Sequence, residues 1–347
     1  MSIEEKKLKH WIDNFYGYGS WRARFWFIGY EEGGGEVPEE VAEKFNYFSQ
    51  AHAPPDASGQ AGALCDIREL YQHVAVRWDG PKANLFANRY EYRFGSSAIQ
   101  HGVWKNLIAF VHGYRNKELP DLLAYQKHNF ALPSAQQEAL ISLYPLPSPH
   151  NHAWYYSWLD LPQIGFLKSR AQYEAHVYES RMRTILTNMR TNKPEVVLMY
   201  GMNSINALKK SVNEFFSDAK FTMVKAIKQQ IPQHHRADLN GTILLITTQI
   251  PALRHNRIET GFDWEESEGL SSLSPAGGGR GWITPLFIFL YPLLKRSNHS
   301  LHILQNIIVG KSKHRESGTF QIPLLAFIFL YYFFILMRNA IHFNHQH

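Results

Sequence analysis

The chain has 347 residues, 45% hydrophobic and 14% aromatic, which is enough apolar matter for a sizeable core, and its formal net charge is +6. Its one cysteine, Cys65, excludes an internal disulfide and a four-cysteine metal cluster within one chain. The charge is unevenly spread: 29 Lys and Arg against 28 Asp and Glu up to Glu266, then 7 against 2 from Ser267 onward, so overall basicity is no sign that the first part binds nucleic acid.

The segment Met1 to Lys9 is polar and charged with no apolar run behind it, so cytoplasmic residence is expected. Leu8, Trp11, Ile12 and Phe15 follow at i, i+3, i+4 and i+7 and predict an amphipathic helix, which Gly17 and Gly19 end. Arg24 to Gly29 is an aromatic, β-branched run closing on glycine, the pattern of a buried strand entering a loop. Three further runs repeat it: Ala139 to Tyr144, Val196 to Tyr200 and Thr242 to Thr247. None alternates strictly, which predicts strands covered on both faces, as in a parallel sheet. Between them, Trp104, Leu107, Ile108 and Val111, and then Met182, Ile185, Leu186 and Met189, have helical spacing. Alternating strands and helices predict a doubly wound α/β domain over residues 1–266. Ligands of such domains sit beyond the carboxyl ends of the strands.

That rule directs attention to four loops: Tyr30 to Glu36, Pro145 to Asn151, Gly201 to Ser204 and Thr248 to Arg257. In the first, Glu31 and Glu32 precede Gly33 and Gly34. Glycines let a backbone approach a ligand, and a partly desolvated carboxylate there can position water. Adjacent acids in a solvated turn are the commoner case. The Walker pattern and the dinucleotide fingerprint are both absent. The second loop is stiffened by Pro145, Pro147 and Pro149; His150 and His152 could ligate a metal, but no companion cluster accompanies them and they stay unassigned. The fourth holds Gln249, together with Arg254 and Arg257, of which the two arginines could face phosphates, and Leu253, which could wedge into a base stack. Phe45, Tyr47 and Phe48 lie just past the first loop; aromatic stacking is one way to hold a flipped base, although core packing is more usual at this spacing.

After Glu266 the character changes. Residues 267–347 open on a Ser- and Gly-rich stretch and carry two apolar segments, Trp282 to Leu294 and Ile322 to Met337. The second has 16 residues without a charge, short of the roughly 20 that span a bilayer. The alternatives are a C-terminal membrane anchor and an apolar tail unrelated to the fold.

Taken in order, the loop motifs resemble the uracil-DNA glycosylase superfamily. Phe27-Ile28-Gly29-Tyr30-Glu31-Glu32-Gly33 stands where that family has its strand and water-activating motif, written G-Q-D-P-Y or G-E-x-P-G. Ile141 to Asn151 aligns without a gap with the central T-N-V-V-K-C-R-P-P-G-N stretch, and Val196 to Gly201 with a later strand and glycine. Thr247-Thr248-Gln249-Ile250-Pro251-Ala252-Leu253-Arg254 mirrors T-Y-H-P-S-A-L-L-R. The resemblance covers about Trp21 to Arg257. It implies a three-layer α/β/α sandwich on a mainly parallel four-stranded sheet, no cofactor, and DNA or a nucleotide as partner; separately from the resemblance, a monomer is expected. It also implies hydrolysis of an N-glycosidic bond. Glu31, with Glu32 as its rival, would steer water; Gln249 would donate to the departing base. Tyr30, Phe48, Ser142 and Asn151 would hold that base, and Gly33, Gly34, Arg254 and Arg257 the nucleic-acid backbone. The sequence departs from the family where Gln249 replaces a histidine and Ser142 an asparagine, which leaves open a non-catalytic protein that binds a nucleotide or nucleic acid on the same fold.

Overall fold

The computed structural model describes residues 3–35, 37–52, 62–150, 152–159, 161–224, 234–250 and 252, all within one unit, Met1–Ser274. Helix α1 (Glu5–Asn14) buries Leu8, Trp11 and Ile12. Phe15, expected on the same helical face, instead opens strand β1 (Phe15–Tyr18). The glycines that read as a helix stop have a second cause. Gly17 has φ +136°, and a Cβ there would lie 2.0 Å from the Leu140 carbonyl oxygen, so only glycine lets this strand approach its neighbour.

Strand β2 (Phe25–Glu31), α2 (Pro38–Ala51) and β3 (Ala63–Cys65) follow. Four helices come next: α3 (Ile67–Gln72), α4 (Ala83–Ala87), α5 (Arg89–Phe94) and α6 (Gly102–Tyr114). After α7 (Leu122–His128) come β4 (Glu138–Tyr144), two 3₁₀ turns, α8 (Arg170–Asn192), β5 (Val196–Tyr200) and α9 (Ile205–Phe215). The last strands are β6 (Thr222–Val224), β7 (His234–Leu239) and β8 (Thr242–Thr247).

The strands form one sheet in the order β3-β1-β4-β2-β5-β8-β7-β6. The four apolar runs picked out in the sequence are neighbours at its centre, and β2 with β4, β2 with β5 and β5 with β8 are parallel. The expectation of four strands is corrected: among the described residues the sheet has eight and is mixed, with β1 antiparallel to β4 and a β8-β7-β6 antiparallel edge. Helices cover both faces. Phe25 and Phe27 point to α6, where they meet Tyr114 and Phe110 edge-on. Tyr30, on the opposite face by the period of two, bonds Glu174 of α8. Arg181 of α8 is 1% exposed and donates to the carbonyls of Phe15, Ser142 and Leu143, tying β1 and β4 together from behind.

No helix among the described residues is long and apolar enough to cross a membrane. The boundary at Glu266 and the two apolar segments of the tail lie outside the described residues.

Candidate functional site

Because β2, β4, β5 and β8 are parallel, their carboxyl ends share one edge of the sheet. A cavity of about 410 Å³ opens there, between the ends of β2, β4 and β5 and the helices α3 to α6. Its size is within the roughly 300–1,000 Å³ of small-ligand sites. Its floor is strand backbone: Gly29 of β2, whose missing side chain leaves room for the Tyr200 ring, and Ser142, paired with Gly29 in register. The glycine loop after β2 supplies Glu31, Glu32, Gly33 and Gly34.

The two acids are held differently. Glu32 accepts from Tyr18 Oη (3.0 Å) and Lys44 Nζ (2.8 Å), with Tyr71 Oη at 3.4 Å and Arg89 at 4.0 Å. Its side chain keeps 13% exposure. Lys44, fully buried, also pairs with Glu40 at 3.0 Å, and Arg89 pairs with Glu40 in turn. Burial opposes the charge on Glu40, but Lys44 and Arg89 outweigh it and hold the carboxyl below its ordinary range. Burial likewise opposes the charge on Lys44, and Glu32 and Glu40 more than offset it.

Glu31 pairs with Arg170 at the start of α8. Burial pushes its carboxyl up, against the pull of that guanidinium. Arg170 also donates to Ser148 Oγ (2.6 Å) and to the Ala153 carbonyl (2.8 Å), so it fastens the proline-rich loop after β4. The two loops touch directly: Ser148 N–H donates to the Glu32 carbonyl at 2.9 Å, and Gly35 packs against Pro147. Arg170 does not line the cavity, whereas Tyr18, Tyr71 and Arg89, three of the four groups around Glu32, do.

The rest of the wall comes from residues that the sequence does not mark as site candidates, Trp104 reading there only as part of a helical face. Tyr71, Arg89, Tyr92, Arg93, His101 and Trp104 belong to α3, α5 and the start of α6. The segment was hard to read because its helices are too short to show a period. One signal was available: in Arg89-Tyr90-Glu91-Tyr92-Arg93 the arginines are four apart and share a helix face. His101 caps α6, its Nδ1 accepting from the N–H groups of Val103 (3.2 Å) and Trp104 (3.4 Å), so its proton resides on Nε2. Burial, then Arg93 and Arg89, hold its pKa down to about 3.

Of the residues expected from sequence, Glu31, Glu32, Gly33, Gly34 and Ser142 are thus brought together. Three are not. Phe48 is 0% exposed and packs edge-on against Trp11 and Phe15 in the core, which removes it as a stacking platform. Tyr30 does not line the cavity; it meets Tyr144 and Glu174 on the α8 face. Gln249 is at the same sheet edge but exposed and outside the cavity, because β5 separates β8 from β2. Asn151, Arg254 and Arg257 lie outside the described residues. Comparison of the chain with protein-family models, curated proteins and solved structures found no match.

Proposed function

We propose that this chain is a nucleobase-binding domain of uracil-DNA glycosylase-like architecture and that Glu32 positions a water for hydrolysis of an N-glycosidic bond. One observation carries the reading: a cavity at the carboxyl edge of parallel strands joins the acids of the Gly29 loop, Ser142 and an aromatic wall. The sequence motifs and the α/β class agree with it. Tyr71, Tyr92 and Trp104 line the cavity with rings that already carry Arg89, Arg93 and His101 on one face, so a base stacks on what remains open, chiefly at half-buried Tyr92, and Ser142 offers its edge a donor and an acceptor. In the reaction, water oxygen bonds to the sugar C1′, and the C1′–N bond breaks with its electron pair leaving on the base. Glu32 accepts the water proton, and the base is finally protonated from solvent. Glu32 is preferred to Glu31, the first choice from sequence, because its surroundings line the cavity while Glu31 is engaged by Arg170 outside it.

A non-catalytic form of the same reading is favoured by the exposure of Gln249, which leaves the departing base without the donor that the resemblance implies. Loss of such a donor costs a factor of about 10²–10³. Single-turnover excision from a uracil-containing strand, with strand binding measured alongside, separates the two. Catalysis predicts slow excision that Glu32→Gln abolishes with little change in affinity, and that Glu31→Gln reduces less. Binding without excision establishes the non-catalytic form; neither binding nor excision refutes both.

A further inference from the structure

We infer that the cavity contains a phosphate subsite, in which Arg93 and the Nε2–H of His101 receive a phosphate of the base-bearing ligand. The site then takes a nucleoside phosphate, free or within a strand. The inference rests on the proposal that the cavity holds a base, and it follows from charge and geometry around the wall.

The charged groups near the cavity largely cancel. Glu32 and Glu40 are matched by Lys44 and Arg89, and Glu31 by Arg170. Arg93 is different. Among the described residues no carboxylate lies within ion-pair distance of it. Its guanidinium rests 4.7 Å over the Tyr92 ring and, among the described residues, donates to the Ile99 carbonyl alone, at 3.4 Å. A partly buried guanidinium with one weak acceptor retains several N–H groups for an anion, and phosphate matches its fork. His101 complements it. With Nδ1 occupied by backbone N–H groups, the ring has a donor at Nε2 and no hydrogen-bond partner there among the described residues. Stacking on Trp104, 4.4 Å between centroids, fixes its direction.

The two groups are built as a unit. Gln126 of α7 is 0% exposed; its Nε2 donates to the carbonyls of Arg93 (2.8 Å) and Ile99 (3.2 Å), and its Oε1 accepts from His101 N–H (2.8 Å). One buried amide thus sets the spacing of the backbones that carry the arginine and the histidine. A base stacked on the aromatic wall would place an attached phosphate along this side of the cavity.

The test is calorimetric titration of the full chain with the four common nucleosides, their 5′-monophosphates, inorganic phosphate and a short single-stranded oligonucleotide. A charge-assisted contact predicts that the preferred monophosphate binds at least about tenfold tighter than its nucleoside. Arg93→Gln should erase that preference, and Arg93→Lys should keep part of it. Equal affinity for nucleoside and monophosphate in the wild type overturns the subsite while leaving the base reading intact. So does a preference that survives Arg93→Gln. Arg93-dependent binding of inorganic phosphate without any nucleoside affinity upholds the subsite and defeats the base reading. Whether the oligonucleotide or the monophosphate binds more tightly then identifies the source of the phosphate. If Arg93→Gln does not fold, the wild-type comparison alone still decides.

Discussion

A carboxylate at the start of β4 shows how strongly position governs a single residue. Glu138 is 1% exposed, and burial pushes its pKa from 4.5 up to about 7, even though Tyr125 donates to it at 2.6 Å. The folded protein therefore keeps this proton up to about pH 7, while the unfolded chain releases it near 4.5. Stability from this group is full below 4.5 and is lost as pH rises through 7, by up to about 3 kcal/mol. Glu138→Gln keeps the shape and removes the charge. The prediction is that the variant gains on the wild type in urea midpoint between pH 5 and pH 8. Comparing the two proteins cancels groups acting the other way, such as His101 and His234, whose pKa values burial lowers to about 3 and 4. A gap that does not change with pH would show that Glu138 is charged in both states. The same dependence on surroundings limited what could be read from sequence. Glu31 and Glu32 were recognisable as candidates, but only their partners, Arg170 against Tyr18, Tyr71 and Lys44, tell them apart. Phe48 carried no mark that its ring turns to the core, and nothing in the Gln249 segment shows that a whole strand stands between it and the cavity.

Among the elements, the contact between the two loops is where sequence and geometry meet most directly. Gly35 has φ +84°, and a Cβ there would sit 2.6 Å from the Pro147 carbonyl oxygen. Gly33, two residues earlier, has open space around the corresponding position. Gly35→Ala should therefore part the loops, lose the Ser148-to-Glu32 backbone bond and cost about 2 kcal/mol or more, with weaker ligand binding. Gly33→Ala should stay within about 0.5 kcal/mol of the wild type. Thermal melting of both variants is the check, and equal losses would contradict the packing described. The glycine and proline loops were legible because their residues restrict the backbone directly, and the four central strands because they are continuous apolar runs. Strands β3 and β6 were not, since three residues carry no periodicity, and β7, with the sequence His-His-Arg-Ala-Asp-Leu, is polar because it lies near the sheet's edge. The wall made by α3 to α5 was missed for a similar reason: its helices have five or six residues each.

For the whole molecule, the core shows how much of the chain the fold requires. The buried cluster runs from Leu8 on α1 to Ile246 on β8, with Ile250 packed against it. It draws on both faces of the sheet, and β8 is held on one side by β5 and on the other by β7. Every described residue belongs to the unit that ends at Ser274. A chain cut after Ser274 retains all of these strands and helices, and it loses 73 residues that hold both apolar segments of the tail and seven Lys and Arg against one acid, Glu316. Such a chain should unfold in one cooperative transition. Because the denaturant slope follows the surface exposed on unfolding, the slope should be that of a domain of about this length. The cavity should survive as well, since its walls all come from residues 18–200. Ligand affinity of the truncated chain should therefore equal that of the full chain within about twofold, near the scatter of uncoupled sites. Chemical denaturation and the titrations described above test both points together. A truncated chain that aggregates or melts without a transition would mean that residues beyond Ser274 complete the core. One that folds normally but loses the ligand would place part of the binding surface in the tail.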